Sequence, residues 1–252
     1  MTSERKTRRE VSIQAIADRL GRAPAELADA RAFRLPSLND RVTINGRTGS
    51  GKTVAGAWLL SMADFHRQPF IIINYKGEKL FDKITRAKPL TINDDLPSAP
   101  GIYHMQPLVS QVDEMEAWLW SVWKQAEIGL FIDEGYLLPD KKAFATLLTT
   151  GRSRQIPIYT LSQRPVRLPR FTISESDFYQ CFHLHDERDR ETVEKFTPKD
   201  GIWADTSQRL KKYNSRWYDV GADFSCMLDP VPDMAQILAT FDRRLTPRQT
   251  LL

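Results

Sequence analysis

Eight consecutive residues, Gly46-Arg47-Thr48-Gly49-Ser50-Gly51-Lys52-Thr53, carry the first chemistry this sequence offers, a cradle for phosphate. Its glycines let the backbone turn tightly enough to aim successive N–H groups inward, and the helix that follows brings the positive end of its dipole to the same point. Lys52 is expected to reach the outer phosphates of a bound nucleotide, and the Thr53 hydroxyl to ligate a magnesium ion. A second element, Ile128-Gly129-Leu130-Phe131-Ile132-Asp133-Glu134, decides what is done with the phosphate, because its apolar run ends in two adjacent carboxylates. Asp133 is expected to complete the magnesium shell opposite Thr53. Glu134, one residue on, points elsewhere and is expected to orient or deprotonate a water in line with the terminal phosphate. Together these are the parts of a nucleotide hydrolase.

A third segment runs from Gly151 to Arg170 with five arginines and no acidic residue. Gln163 ends an apolar run within it, so its amide is expected beside the terminal phosphate and the attacking water. Arg152 and Arg154 precede that run and fall on the opposite edge of the sheet. A phosphate they act on must therefore belong to a neighbouring subunit, which is the arginine-finger arrangement. Arg164, Arg167 and Arg170 lie on a loop punctuated by Pro165 and Pro169 and suit a nucleic-acid backbone, with ordinary surface ion pairs as the alternative. His183 and His185 are expected on one face of a strand, but without third and fourth ligands at suitable spacing they read as packed or hydrogen-bonded histidines. His66 and His104 stand alone. Cys181 and Cys226 form no ligand-spaced set and read as ordinary thiols of a reducing compartment.

The elements that must position these residues follow from hydrophobic period and breakers. Strands are expected at 41–45, 70–75, 102–105, 128–132, 156–162, 178–185 and 216–220, and helices at 54–66, 112–125, 142–150 and 187–196. Such alternation specifies a three-layer α/β fold around a mostly parallel central sheet. The tryptophans of 112–125, Trp118, Trp120 and Trp123, read as packing residues. Residues 1–10 are basic and polar and read as a frayed arm. Helical spacing at 11–20 and 25–32 gives either two helices packed at the entry to the core or a helix-turn-helix. From Gly221 onward, Pro230, Pro232 and Pro247 break the pattern, leaving a tail that packs on the core or on a neighbour. The expected organisation is thus an arm at 1–38, a core at 39–220 and a tail at 221–252.

A chain of 252 residues with 41% hydrophobic residues is long enough for one large α/β domain. Thirty-six basic against thirty-two acidic residues give +4 and a pI near 9.0, which permits a nucleic-acid partner without demanding one. No apolar run approaches the roughly 18 residues that span a bilayer, so a soluble protein is expected.

At these same residues the chain resembles the FtsK/HerA superfamily of nucleic-acid-translocating ATPases, above all the compact genome-packaging ATPases of tailless icosahedral viruses with an internal membrane. The resemblance rests on Gly46 to Thr53, on Ile71-Ile72-Ile73-Asn74-Tyr75-Lys76-Gly77-Glu78, on Ile132-Asp133-Glu134, and on Thr160-Leu161-Ser162-Gln163-Arg164-Pro165, and covers about residues 40–200. It implies a RecA-like P-loop core of the class with an additional strand and a catalytic glutamate. It also implies ATP and Mg2+ at subunit interfaces, a hexameric or pentameric ring, and double-stranded DNA threaded through the middle into a preformed capsid. Partners at a capsid vertex or membrane, and a place in the infected cell's cytoplasm or at the virion vertex, go with that. Asn74 stands where many relatives carry an aspartate. Two other classes remain as alternatives: a nucleotide-gated structural or assembly ATPase, and a conjugation or chromosome-segregation DNA pump.

Overall fold

The computed structural model describes residues 33–199 and 201–246. The basic arm, the two expected N-terminal helices and Pro247 lie outside the described residues. Nine strands form one sheet in the order β3-β4-β2-β5-β6-β1-β7-β8-β9. They are β1 (Arg41–Asn45), β2 (Pro69–Asn74), β3 (Lys88–Pro89), β4 (Gly101–Met105), β5 (Gly129–Asp133), β6 (Ile158–Ser162), β7 (Phe178–Cys181), β8 (Ser215–Asp219) and β9 (Phe224–Leu228). The first seven strands in spatial order pair in parallel; β8 and β9 close the sheet antiparallel. Strands buried on both faces read as continuous apolar runs, and Pro69-Phe-Ile-Ile-Ile-Asn74 is such a run, buried at every position.

Helices cover both faces. On one lie α1 (Lys52–Met62) and the short α2 (Lys79–Asp82); on the other, α3 (Val112–Gln125) packs on α4 (Lys142–Thr150). The first face buries Ile44, Leu59, Phe70, Phe131 and Leu161, and the second Ile71, Ile73, Leu130, Ile132 and Ile158, so β2, β5 and β6 feed both cores by alternation. Trp118 is buried in the second core. Trp123 sits at its edge, its indole donating to Thr150 Oγ1, and Trp120 donates to Glu116. A third, smaller core of Leu168, Ile173, Tyr179, Leu184, Val193 and Trp203 is roofed by α5 (Arg170–Ser174) and α6 (Glu187–Glu194).

The chain beyond 220 differs from its sequence reading. The boundary drawn there falls in the turn between β8 and β9, and the sheet continues through Leu228. Pro230 and Pro232 precede a helix rather than prevent one: α7 (Met234–Leu245) starts at Asp233, whose carboxylate caps the Gln236 N–H at 2.9 Å. Helix α7 buries Ile237 and Phe241 against α1, with Phe241 stacked on Phe65 at 6.1 Å between ring centroids. The strand expected at 178–185 stops at Cys181. Its neighbour β1 turns into the glycine loop after Asn45, so only one further bond, Phe182 N–H to Asn45 O, extends the ladder. His183 and His185 therefore lie beyond the strand, not on one face of it.

Candidate nucleotide site

The glycine loop leaves β1 at the carboxyl edge of the sheet, where ligands of open α/β folds bind. Gly51 has φ of 96° immediately before α1, a left-handed conformation that a side chain resists. At Gly46 a Cβ would stand 2.8 Å from the Cβ of Phe182, so only glycine lets the loop close over that ring. Lys52, the first residue of α1, is 5% exposed. Its Nζ lies 3.3 Å from Glu134 Oε1 and 3.8 Å from Asp133 Oδ1.

The parallel register carries the acidic pair to the same place. Asp133 pairs with Asn74 across β2 and β5, and Ile132 with Thr160 across β5 and β6. Asp133 is wholly buried, and neither of its carboxylate oxygens has a hydrogen-bond partner. Burial pushes its carboxyl above the usual carboxylate range, with Lys52 pulling the other way and Glu134 adding to the rise. Glu134 has φ of 60° and ψ of 61°, a conformation costly for any residue with a β-carbon. It turns the carboxylate out of the strand's alternation, so that Asp133 and Glu134, though adjacent, both approach Lys52. Beyond Lys52, Glu134 Oε1 meets Lys76 Nζ at 3.6 Å, and Oε2 accepts from the Gln163 N–H at 3.3 Å.

Gln163 follows β6 on this edge. Its Oε1 accepts from Thr48 Oγ1 at 2.6 Å and its Nε2 donates to Tyr136 Oη at 3.1 Å, tying the glycine loop to the turn after Glu134. Lys52, Asp133, Glu134 and Gln163 are thereby brought together. The Ser50 hydroxyl, inside the loop, is buried without a partner. A glycine loop, a buried lysine, a carboxylate without hydrogen-bond partners and an orphaned hydroxyl form a polar cradle that suits a phosphate chain with a divalent cation.

The arginines divide. Arg152 and Arg154 lie on the opposite, amino edge. Arg152 is exposed and pairs with Asp177. Arg154 donates to the carbonyls of Trp123 and Lys124, with its guanidinium 4.5 Å from the Trp123 ring centroid. Arg164 is held by Asp189 at 2.9 Å and Asp186 at 3.2 Å, pairs that tie the loop to α6. Arg167 and Arg170 remain exposed.

Sequence reasoning missed Lys76, Tyr136 and the packing of Tyr213 over Gly51. Lys76 was within a motif already singled out, so its place after β2 was a usable signal; Tyr213, more than 150 residues from the loop, gave none. Asn74 explains its own departure from aspartate. Its Oδ1 accepts from Glu78 N–H at 2.8 Å, and its Nδ2 donates to Glu78 O at 3.2 Å and meets His104 Nε2 at 3.1 Å. Clamping the 74–78 turn takes a donor and an acceptor, and a carboxylate supplies only acceptors. His104, whose proton affinity burial lowers, suits the acceptor role.

Glycine loop, buried lysine, strand-end Asp-Glu pair and strand-end glutamine on a mostly parallel nine-stranded sheet define a P-loop ATPase. No family model matches the chain. It is 44% identical over 227 residues to the DNA packaging ATPase P9 of Enterobacteria phage PRD1, covering 87% of this chain and 99% of that protein, and it belongs to this family of viral packaging ATPases. Its fold is similar to the genome packaging NTPase B204 of Sulfolobus turreted icosahedral virus 2 in complex with ATP-gammaS, with a TM-score of 0.61 at 19% identity over 78% of this chain and all of that one. It is also similar to ATPases 2 and 3 of Thermomonospora curvata EccC, with a TM-score of 0.53 at 11% identity over 84% of this chain and 44% of that one. Among the described residues no helix is long and apolar enough to cross a membrane.

Proposed function

We propose that this chain hydrolyses Mg-ATP at the carboxyl edge of its sheet and uses the energy to drive double-stranded DNA into a preformed capsid. The observation that carries the hydrolytic part is Asp133, a fully buried carboxylate without a hydrogen-bond partner, set beside Lys52 and one residue before Glu134. A buried carboxylate left in this state is expected to face a cation. Thr53 and Asp133 are the residues that would hold magnesium, and Gly46 to Thr53 those that would hold the phosphates. Bound magnesium supplies charge neutralisation on the phosphoryl oxygens during transfer.

Lys52 then serves the phosphates instead of Glu134. Released from Lys52, Glu134 accepts a proton from the attacking water, and Gln163, hydrogen-bonded to both the loop and Tyr136, orients that water. The active form is a ring of six or five subunits. Arg152 or Arg154 of one subunit completes the site of the next, and the exposure of Arg152 suits donation across an interface. Anchoring partners stand at a capsid vertex or membrane, and the work takes place in the infected cell's cytoplasm or at the virion vertex.

Contact with DNA falls to Arg167 and Arg170, which are exposed, whereas Arg164 is engaged by Asp186 and Asp189. A translocase grips any sequence, so its contacts go to phosphates and weaken with salt. Duplex DNA of arbitrary sequence is therefore expected to stimulate ATP turnover, with the stimulation falling steeply as salt rises. Arg167→Ala/Arg170→Ala is expected to lose most of the stimulation and keep DNA-free turnover. An assembled wild type that DNA never stimulates contradicts the motor and leaves a structural ATPase.

A further inference from the structure

Glu134 and Gln163 stand at the ends of β5 and β6, on one side of β1. A nucleoside triphosphate held by the loop, with its terminal phosphate on that side, must send its sugar and base the other way, toward β7 and β8. Two aromatic rings wait there. Phe182, just past β7, is buried beneath Gly46. Tyr213, two residues before β8, lies over Gly51: its Cδ1 is 3.1 Å from where a Cβ on that glycine would stand.

Tyr213 is not placed there by apolar packing. It belongs to none of the three described cores, and it is 44% exposed. Its φ of 67° is a conformation that an aromatic residue adopts only at a cost. The turn that imposes this is closed by Asn214 N–H to Lys211 O at 3.0 Å and anchored by Asn214 Nδ2 to Asp229 Oδ1, also at 3.0 Å. The Lys212 ammonium lies 4.9 Å from the Tyr213 ring centroid, adding a cation at the ring.

We propose that the Tyr213 ring is the platform on which the nucleobase of a bound nucleoside triphosphate stacks, an assignment that rests on the phosphate-binding reading of the glycine loop. Stacking on an aromatic face is strong and indifferent to base identity, because every base presents a π-face. Tyr213 therefore adds affinity without choosing between adenine and guanine. His183, next to Phe182 in sequence, is a polar candidate for the ribose or base edge. Its Nδ1 is buried without a partner, and burial together with Arg47, Arg190 and Arg209 lowers its proton affinity.

The test compares a ligand that has a base with one that does not, using titration calorimetry on the full chain with a non-hydrolysable ATP analogue and with inorganic tripolyphosphate. Tyr213→Asn removes the ring and suits the left-handed backbone; Tyr213→Trp keeps an aromatic face. The expected result is an analogue affinity about ten-fold weaker in Tyr213→Asn, with tripolyphosphate affinity unchanged and analogue affinity retained in Tyr213→Trp. The matching guanosine analogue should weaken by the same factor. Unchanged analogue affinity in Tyr213→Asn overturns the assignment. Equal weakening of analogue and tripolyphosphate also overturns it, since the ring would then only buttress the loop. A wild type that binds tripolyphosphate but gains nothing from the base defeats the Tyr213 platform alone, whereas a wild type that binds neither ligand defeats the phosphate-binding reading and the platform with it.

Discussion

The two edges of the central sheet are both crowded with charge and handle it in opposite ways. At the amino edge, Arg34 meets Asp40 at 2.8 Å and Asp219 at 2.7 Å, Arg152 pairs with Asp177, and Asp177 also accepts the Arg41 N–H at 2.9 Å. At the carboxyl edge, Asp133 is buried with both oxygens unpartnered, Glu134 sits on a costly backbone conformation, and Ser50 Oγ is orphaned. Charge density alone therefore does not mark chemistry. At the amino edge Arg34, Asp40, Asp177 and Asp219 are matched in ion pairs that hold strands in register, while at the carboxyl edge Asp133 and Ser50 are left without hydrogen-bond partners for a ligand to satisfy.

The largest effect expected is that of Lys52→Ala. It removes the only cation that reaches both acids among the described ion pairs, so nucleotide binding is lost and turnover falls to background, more than about 1000-fold. Nucleotide titration and phosphate release check both. Near-normal binding in this variant would erase the contrast between the edges.

Asp133→Asn sharpens the contrast by moving stability and activity in opposite directions. Burial raises the folded-state pKa of Asp133 above its unfolded value. Its contribution to stability is thus most favourable below the unfolded pKa and declines as pH rises through the folded pKa. Removing the charge is expected to raise the melting temperature of the nucleotide-free protein at pH 7 by about 2–4 °C while cutting turnover at least about 100-fold. Thermal melts should show the gain absent below the unfolded pKa and growing as pH rises from there toward the folded pKa. A melting temperature that falls instead would mean that the carboxylate is satisfied in the free protein.

Gln163→Ala is expected to cost about 10–100-fold in turnover with little change in nucleotide affinity, because the amide positions water without neutralising phosphate charge. At the other edge, Arg34→Ala leaves the fully buried Asp219 without its cation. It is expected to lower the melting temperature by several degrees and to leave turnover per folded molecule unchanged. A loss of turnover without a loss of stability would place the Arg34–Asp219 pair in the chemistry.

Much of the carboxyl edge was legible in the sequence because its residues come in short motifs with local causes. A glycine loop after a strand, an apolar run ending in Asp133-Glu134 and another ending in Gln163 each announce their position through strand polarity alone. The sheet's parallel part was legible for the same reason, since β2 and β5 are apolar up to their last residues, Asn74 and Asp133, and β6 is largely so. What stayed hidden depends on distant partners. Strand β9 is only half buried and shows no alternation; the prolines before α7 masked a helix whose apolar face is defined by α1. His183 and His185 leave the strand because β1 ends, a fact about a neighbour rather than about residues 178–185. The pairing of Arg164 with Asp186 and Asp189, and Tyr213 over Gly51, are tertiary facts of the same kind.

The central claim is that Glu134 activates water while taking no part in holding the nucleotide, and Glu134→Gln tests it most directly. The substitution keeps the side chain's size and one acceptor oxygen, exchanges the other oxygen for an NH2 that cannot accept from Lys52, Lys76 or the Gln163 N–H, and removes the base. Single-turnover hydrolysis of ATP, measured alongside ATP affinity on the same preparation, should show affinity equal to or tighter than wild type and hydrolysis slower by about 100–1000-fold. Hydrolysis within a few-fold of wild type at unchanged affinity would contradict the account and move the catalytic base away from the end of β5.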